Sequence, residues 1–227
     1  STRKESSAAS DVYKRQVLEY PNNKYSEDAM LMGAEMAYTA KDYEKALHIY
    51  KQLKDKAASM ERRQLAKTGM LRSAHMLGNE EEIIFTATDL LADTKLAPEL
   101  SNEAHYYRAK AYLDAGKTDG AMEDLKILAK DTRNVYGAEA KYKVAQIYFD
   151  GGQTDKAEQE VLNYIEVSTP HTYWLARSFV LLADVYMKLG RNLDAKQYLL
   201  SLKQNYQADD DIAGMIESRL EKLKTEN

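Results

Sequence analysis

Hydrophobic residues recur along this chain with the spacing of paired amphipathic helices. The apolar positions of residues 140–149 form one helical stripe, which comprises Val144, Ala145 and Tyr148. A turn follows at Gly152, and Thr154-Asp155 provides an N-cap signal for the next helix. The apolar positions of that second helix form another stripe, which comprises Ala157, Val161, Leu162 and Ile165. The pattern predicts two helices, A and B, that pack antiparallel across a short turn.

The same pattern of helix A, short turn and helix B occurs five times along the chain. The turn positions, which are 37, 38, 36 and 38 residues apart, are Lys41, Gly78, Gly116, Gly152 and Gly190. Seven residues before each turn stand Ala34, Leu71, Ala109, Ala145 and Ala183. Four residues before it stand Ala37, Ala74, Tyr112, Tyr148 and Tyr186. Five residues after it stand Ala46, Ile83, Ala121, Ala157 and Ala195. Aligned columns of this kind indicate an internal structural repeat.

The glycines and alanines in these columns suit the backbone conformation of the turn and the close packing of the two helices. Glycine at the turn suits a helix C-terminus that requires a positive φ angle. Small residues in the two alanine columns let helices A and B of one repeat approach closely. A large residue there would overpack the contact, at a cost of about 1–3 kcal/mol.

These repeats resemble the tetratricopeptide repeat (TPR), whose pattern is W-x2-L-G-x2-Y, then A-x3-F, then A, then P. The resemblance rests on the small residue and Tyr of helix A, the turn glycine, the Ala of helix B and a large apolar residue four positions later (Tyr50, Leu125, Val161 and Leu199). The tryptophan column of the family holds Met30, Lys67, His105, Lys141 and Phe179 instead. The second repeat diverges most, since Leu71 and Ile83 replace small residues. The resemblance implies an all-α fold, a right-handed α-solenoid of antiparallel helix pairs (the TPR superhelix).

The resemblance covers residues 17–208, which we expect to hold the end of one truncated repeat and five complete repeats. Val17–Pro21 matches the end of a helix B, with Pro21 in the terminal proline column of the family. We therefore expect at least one further repeat upstream. Residues 209–227 are predicted to form a C-terminal capping helix with Asp211 as its N-cap. Its apolar stripe is Ile212, Ile216, Leu220 and Leu223.

The first 16 residues differ in character from the rest of the chain. The segment Ser6–Gln16 resembles the in-frame translation of a transposase-type sequencing adapter over all eleven codons. We expect residues 1–16 to be non-native and to lie outside the fold; a native disordered tail is the alternative. Without them the chain has 28 basic and 34 acidic residues, and its net charge changes from −4 to −6.

Composition and motifs exclude several classes of function. An acidic chain is poorly suited to nucleic acid, including RNA, and no apolar run approaches the roughly 20 residues of a membrane-spanning helix. The chain has no cysteine, so disulfides and thiolate metal sites are excluded. The tripeptide Gly116-Lys117-Thr118 lacks the upstream glycine of a phosphate-binding loop. The four histidines show no i, i+4 pair, and no GxSxG motif is present. We therefore predict no enzyme activity, metal or cofactor in this part of the protein.

In this family the A helices line the concave face. The positions that flank the buried stripe of each A helix are Leu31, Glu35 and Tyr38; Thr68, Arg72 and His75; Tyr106, Lys110 and Leu113; Tyr142, Gln146 and Phe149; and Val180, Asp184 and Met187. Aromatic rings with a polar tip favour protein interfaces, and arginine or lysine can hold an acidic group. The predicted peptide-binding residues are Tyr38, Arg72, His75, Tyr106, Lys110, Tyr142, Gln146 and Phe149. Simple packing is the other interpretation of the tyrosines. No asparagine is expected on an A helix, which disfavours the family's carboxylate clamp for chaperone C-termini.

The resemblance implies a non-catalytic scaffold that binds a peptide segment or a protein in the concave groove. A structural spacer or self-association module of a longer protein is the second hypothesis, and the non-catalytic part of an enzyme with an upstream catalytic domain is the third. The repeat length and the junction EYPNNKYSEDA (residues 19–29) resemble multi-repeat proteins of Gram-negative cell envelopes. We therefore expect a bacterial protein of the periplasm or the outer-membrane periphery.

Overall fold

The computed structural model describes residues 8–12, 14–15 and 24–225. All regular elements in this part of the chain are helical, and strands are absent from it. The helices from residue 24 onward are α1 (Lys24–Thr39), α2 (Tyr43–Lys56), α3 (Met60–Leu77), α4 (Glu80–Leu91), α5 (Pro98–Asp114), α6 (Thr118–Leu128), α7 (Val135–Asp150), α8 (Thr154–Val167), α9 (Thr172–Lys188), α10 (Asn192–Asn205) and α11 (Ile212–Thr225). The predicted all-α fold class of helix pairs is confirmed.

The five predicted turns between helices A and B share one backbone geometry. Each turn residue has a positive φ angle: 64° at Lys41, 68° at Gly78, 74° at Gly116, 79° at Gly152 and 76° at Gly190. In each turn the next N–H donates to the carbonyl five residues earlier, as Asn79 does to Ala74 at 3.1 Å and Arg191 does to Tyr186 at 2.7 Å. This bond is the 6→1 hydrogen bond of a Schellman motif, which satisfies a terminal carbonyl of helix A. The prediction of positive φ at these positions is confirmed.

The chain divides into two compact units, residues 1–117 and 118–227. In the first unit, α1 to α5 pack in chain order, and α1 and α3, like α3 and α5, also make contact as neighbouring A helices. In the second unit, α6 to α11 pack in chain order, and α9 also contacts α7 and α11. Each unit therefore places its A helices side by side, as a repeat architecture requires.

The small-residue columns lie in the cores of the two units. The alanines of these columns are all buried: Ala34, Ala46, Ala109, Ala121, Ala145, Ala157, Ala183 and Ala195. In the divergent second repeat, Leu71 and Ile83 are buried as well and join the same apolar cluster as Ala74 and Leu90. The second unit has the larger cluster, which extends from Tyr142 to Leu223. The columns read from the sequence therefore mark the core.

The helix α11 packs on α9 and α10, with Ile212, Ile216 and Leu223 buried. Asp211 occupies the predicted N-cap position, since its carbonyl accepts the N–H of Met215 at 3.1 Å, but its side chain does not cap the helix. Asp210 Oδ1, rather than the carboxylate of Asp211, accepts the N–H of Ile212 at 2.9 Å. The carboxylate of Asp211 instead accepts the Tyr173 hydroxyl, with distances of 2.9 and 3.2 Å to its two oxygens. The tertiary contact with α9 thus draws this side chain away from the helix terminus.

Three further predictions about single residues are wrong. Thr154 is the first residue of α8, and Gln153 occupies the N-cap without a side-chain hydrogen bond. Leu162 is 41% exposed, because the buried stripe of α8 follows Ala157, Val161 and Tyr164 and a helix turns about 100° between neighbouring residues. Asn102 lies within α5, so an A helix does carry an asparagine.

The segments at the chain's start are only partly described. Residues 8–12 and 14–15 are helical, and the Lys45 ammonium donates to Ser10 Oγ at 3.0 Å. The junction Val17–Pro21, predicted as the end of a truncated repeat, lies outside the described residues. The divisions predicted at 1–16, 17–208 and 209–227 stay predictions.

Candidate functional site

The A helices of each unit carry a cluster of aromatic and charged side chains. The cluster of the first unit, named here the Arg72 cluster, comprises Tyr38, Arg72, His75, Glu103, Tyr106, Tyr107 and Lys110. The cluster of the second unit, named here the Arg177 cluster, comprises Tyr142, Gln146, Phe149, Tyr173, Trp174 and Arg177. All eight predicted site residues belong to one of these two clusters.

An ion pair between neighbouring A helices organises the Arg72 cluster. Arg72 Nε lies 2.7 Å from Glu103 Oε1, and a second guanidinium nitrogen lies 3.0 Å from Oε2. The hydrogen bond to Glu103 is the main cause of the raised pKa of Arg72. Burial is the main cause of the raised pKa of Tyr38, whose ring meets that of Tyr43 edge-on at 5.2 Å. The positive charge predicted to hold an acidic partner is thus already neutralised within the protein.

Ring contacts hold the other side of the Arg72 cluster. The His75 ring stacks on Tyr107, with centroids 4.2 Å apart. Burial, followed by the charge of Lys110, lowers the pKa of His75 below 6.5. The Lys110 ammonium lies 5.1 Å from the centroid of the Tyr106 ring and 3.4 Å from its hydroxyl. Imidazole and ammonium groups are therefore both held against tyrosine faces.

The Arg177 cluster is built on stacked rings from α7 and α9. Tyr142 and Trp174 stack with centroids 5.7 Å apart and planes inclined by 29°. The Arg177 guanidinium carbon lies 4.9 Å from the Tyr142 centroid and 5.9 Å from the Trp174 centroid. Arg177 also donates to the Tyr173 hydroxyl at 3.3 Å. The guanidinium is therefore oriented by aromatic faces, and its other N–H groups remain donors.

The predicted residues of α7 take part in this arrangement. The Tyr142 hydroxyl donates to Gln146 Oε1 at 2.9 Å, and Gln146 Nε2 donates to Asp150 Oδ1 at 2.8 Å. Burial is the largest cause of the raised pKa of Tyr142. Phe149 packs, partly buried, against the core of the second unit. The hydrogen bonds through Gln146 orient the Tyr142 ring, on whose face the Arg177 guanidinium lies.

Other flanking positions do not face a partner as predicted. Thr68 and Val180 are buried, and the Thr68 hydroxyl donates to the carbonyl of Gln64 at 2.9 Å. Asp184 is paired with Arg219 of α11. The buried stripe of these A helices is thus wider than the sequence pattern suggested, because helices pack on both flanks of α3 and α9.

Sequence reasoning missed five members of the two clusters: Glu103, Tyr107, Tyr173, Trp174 and Arg177. Glu103 lies three residues before Tyr106, and Arg177 lies three residues before Val180. Both therefore extend a predicted flanking column by one helical turn toward the N-terminus. Extending each flanking column by that turn would have identified Glu103 in the Arg72 cluster and Arg177 in the Arg177 cluster.

Neither cluster has the composition of a metal centre. Across residues 8–12, 14–15 and 24–225, no three His, Asp or Glu side chains stand close enough together to hold a metal ion. Over the same ranges, each helix is too short or too polar to cross a bilayer.

Comparison with known proteins identifies the repeat type. Two models of the tetratricopeptide repeat family match residues 103–131 and 176–204. No curated protein sequence matches the chain.

Three solved structures share the fold at low sequence identity. MamA protein is 17% identical with a TM-score of 0.62, over 78% of this chain and 90% of its own. BtubC (BKLC) from P. vanneervenii is 13% identical with a TM-score of 0.57, over 92% of this chain and 95% of its own. The nearly identical TPR-like repeats of a kinesin light chain from Podosopora anserina are 18% identical with a TM-score of 0.55, over 78% of this chain and 93% of their own. The matched segments and the repeated turn geometry agree, and the chain contains tetratricopeptide repeats.

Proposed function

We propose that this chain is a protein-binding scaffold that holds an acidic peptide segment of its partner on the A helices of the second unit. Tetratricopeptide repeats are in general non-catalytic scaffolds for protein–protein interaction, and the repeats of this chain support that role. The finer proposal rests on one observation, the placement of Arg177 on the faces of Tyr142 and Trp174.

Arg72, Arg177 and Arg219 differ in the partners of their guanidinium groups. Arg72 is paired with Glu103, and Arg219 is paired with Asp184. For Arg177, none of the described carboxylates lies within the 4.0 Å that defines an ion pair. A guanidinium stacked on aromatic rings loses little further entropy when it binds, and its planar edge matches a carboxylate. Arg177 is therefore the arginine best placed to receive an acidic group.

The surrounding side chains supply the apolar part of such a site. Tyr142 and Trp174 offer ring surface beside the guanidinium, and aromatic and arginine side chains dominate the binding energy of protein interfaces. An acidic residue next to a large apolar residue is the peptide pattern that these groups would recognise.

Peptide display on the intact chain tests this function. Selected peptides are expected to share an acidic residue, and their affinities are measured by fluorescence anisotropy. Arg177→Ala should weaken binding by about tenfold or more, and Arg177→Lys should recover only part of the loss because an ammonium cannot bind a carboxylate in the forked geometry. Lys203→Ala is the matched control, because Lys203 forms an exposed ion pair with Glu217 elsewhere in the same unit. Equal affinity for Arg177→Ala and the parent chain would exclude this site.

Self-association is a second candidate function, and an exposed apolar surface in the second unit favours it. Leu189, Leu193 and Leu200 are 44%, 71% and 45% exposed, and the last two lie seven residues apart on one side of α10. Light scattering over a range of concentrations tests it. A dimer that Leu193→Ser dissociates would support this function, and a monomer at every concentration would exclude it.

The cellular location is a separate proposal, which rests on the sequence likeness to envelope proteins alone. We propose a periplasmic or outer-membrane-associated protein of a Gram-negative bacterium. Fractionation of bacterial cells that express the protein from its natural gene tests it, and recovery in the cytoplasmic fraction would refute it.

A further inference from the structure

The second unit contains a cavity of about 300 Å³ at α6, α7, α8 and the loop that follows α6. Its polar lining consists of Lys126, Lys130, Thr132, Lys141, Glu160 and Asn163. None of these residues belongs to the Arg177 cluster, so the function proposed above does not use the cavity. We name it the Lys130 cavity.

The cavity lies beside a position where the sequence departs from its family. Lys141 occupies the column that holds tryptophan in the family pattern. Its side chain is 11% exposed, and its ammonium lies 2.7 Å from Glu160 Oε1 and 2.6 Å from Asn163 Oδ1. The lysine at this position therefore places an ion pair in the cavity wall, where the family pattern has an indole ring.

The first unit also has a lysine in this column, so its surroundings can be compared with those of Lys141. Lys67, in the equivalent column, lies 3.0 Å from Asp89, and a cavity of about 250 Å³ lies beside it. The charged residues of this Lys67 cavity are Arg63, Lys67, Asp89 and Asp93. Two positive and two negative side chains make its lining neutral.

The Lys130 cavity has three ammonium groups and one carboxylate, an excess of two positive charges in a chain whose net charge is −4. Glu160 is already occupied by Lys141. Neither Lys126 nor Lys130 forms an ion pair with a described residue, although the Lys126 ammonium lies 5.6 Å from the centroid of the Tyr148 ring. The cavity thus concentrates positive charge that the protein itself does not neutralise.

Further groups in the cavity wall suit an anion. Asn163 accepts from Lys141 through its side-chain oxygen, which leaves the amide NH2 group as a donor. The Thr132 hydroxyl donates to the Ser168 carbonyl at 2.7 Å, and the Thr169 hydroxyl donates to the Thr132 carbonyl at 2.6 Å. These two bonds join the α6–α7 and α8–α9 loops beside the cavity.

We propose that the Lys130 cavity is a binding site for a small phosphate dianion, either inorganic phosphate or a phosphate monoester. Lys126 and Lys130 supply the two charges that match the dianion, and Lys141 neutralises Glu160, the carboxylate of the cavity lining. Ammonium groups bind phosphate by charge-assisted hydrogen bonds. The volume, at the lower end of ligand pockets, admits a phosphate with a short organic group.

Titration of the intact chain with inorganic phosphate, in chloride buffer at constant ionic strength, tests the proposal. Amide NMR signals of Thr132, Asn163 and Val167 are expected to shift together and to saturate. A parallel titration with glycerol 3-phosphate distinguishes the two sources, because tighter binding of this probe assigns the site to a monoester and weaker binding assigns it to inorganic phosphate.

Two variants decide whether phosphate binds in the Lys130 cavity. The double substitution Lys126→Gln and Lys130→Gln should weaken binding by about tenfold or more, the loss expected for two charge-assisted contacts. Both side chains are exposed, so the fold should survive, which circular dichroism checks. Lys67→Gln in the neutral cavity should leave the affinity unchanged. Shifts that never saturate, or an equal affinity in the double variant, would overturn the proposal.

Discussion

Arg219 of α11 forms a two-pronged ion pair with Asp184 of α9, with nitrogen–oxygen distances of 2.8 and 2.9 Å. Both side chains are about three-quarters buried, at 27% and 24% exposed, so solvent screens the pair less than a surface ion pair. The contact joins the last helix to the A helix of the fifth repeat.

Arg219→Ala should therefore destabilise the end of the repeat array. We expect a loss of about 1–2 kcal/mol in the free energy of unfolding, because the substitution leaves the Asp184 carboxylate without its partner. Urea unfolding measures the change. A double-mutant cycle with Asp184→Ala isolates the pair, and purely additive effects of the two substitutions would contradict a coupling between them.

Gly137 in α7 lies very close to the backbone at the end of α6 and in the loop that follows it. A Cβ atom on Gly137 would lie 1.8 Å from the Asp131 carbonyl oxygen and 2.6 Å from that of Leu128. Since both obstacles are main-chain atoms, Gly137→Ala should destabilise the protein by about 2 kcal/mol or more. Gly214→Ala in α11 is the matched control, because its Cβ would meet nothing within 4 Å. The control should stabilise by up to about 1 kcal/mol, the difference in helix propensity, and equal effects of both substitutions would disprove the steric argument.

The first turn offers a stabilising substitution. Lys41 has a φ angle of 64°, whereas glycine occupies the other four equivalent positions. A side chain in this left-handed conformation costs about 1 kcal/mol relative to glycine, so Lys41→Gly should raise the unfolding free energy by about that amount. Gly152→Ala should lower it by a similar amount at the fourth turn. Thermal unfolding of both variants is the measurement, and a shift of the same sign in both would refute the interpretation.

Tyr164 should make stability depend on alkaline pH. Its side chain is fully buried, and its hydroxyl donates to the Ala138 carbonyl at 2.9 Å. Burial raises the pKa of Tyr164 from 10.0 to about 12. Between these values the unfolded chain loses the phenol proton while the folded chain keeps it, so the folded state loses about 1.4 kcal/mol per pH unit from this group. The contribution is complete below pH 10 and vanishes by about pH 12.

Urea unfolding of the parent chain and of Tyr164→Phe between pH 9 and 11.5 measures this effect. At pH 9 the variant should be less stable by about 1 kcal/mol, because the buried carbonyl loses its donor. Above pH 10 the difference should shrink, since the variant lacks the titrating group. Parallel stability curves for the two proteins would show that Tyr164 does not titrate as described.

The repeat architecture could be predicted from the sequence because its determinants are local. Each turn requires a residue that tolerates positive φ, and each helix shows its buried stripe by a spacing of three to four residues. Gly78, Gly152 and the buried Ala145 column illustrate this, since each lies where the pattern placed it. Leu162 shows where such reasoning fails, because it was predicted to be buried and is exposed. A hydrophobic stripe predicts which side of a helix is buried, but it does not predict whether a residue at the edge of that side is buried.

Eight of the cluster residues were predicted as members of a helix face, but the side chains that pair with them were not. Arg72 pairs with Glu103 from 31 residues away, and Arg177 lies on Tyr142 from 35 residues away. Several charged side chains on the neighbouring helix stand at comparable sequence distances. The choice among them follows from the packing angle and offset of two A helices, which no local pattern encodes.

The sequence by itself therefore determined the helix pairs, the five turns and the small-residue columns of this protein, because helical periodicity and backbone conformation act within a few residues. Tertiary structure alone decided that Arg72 is neutralised while Arg177 is not, and that Lys141 lines a positively charged cavity while Lys67 lines a neutral one. These outcomes depend on which side chains from distant repeats meet across a packed interface, and that is set by three-dimensional contact.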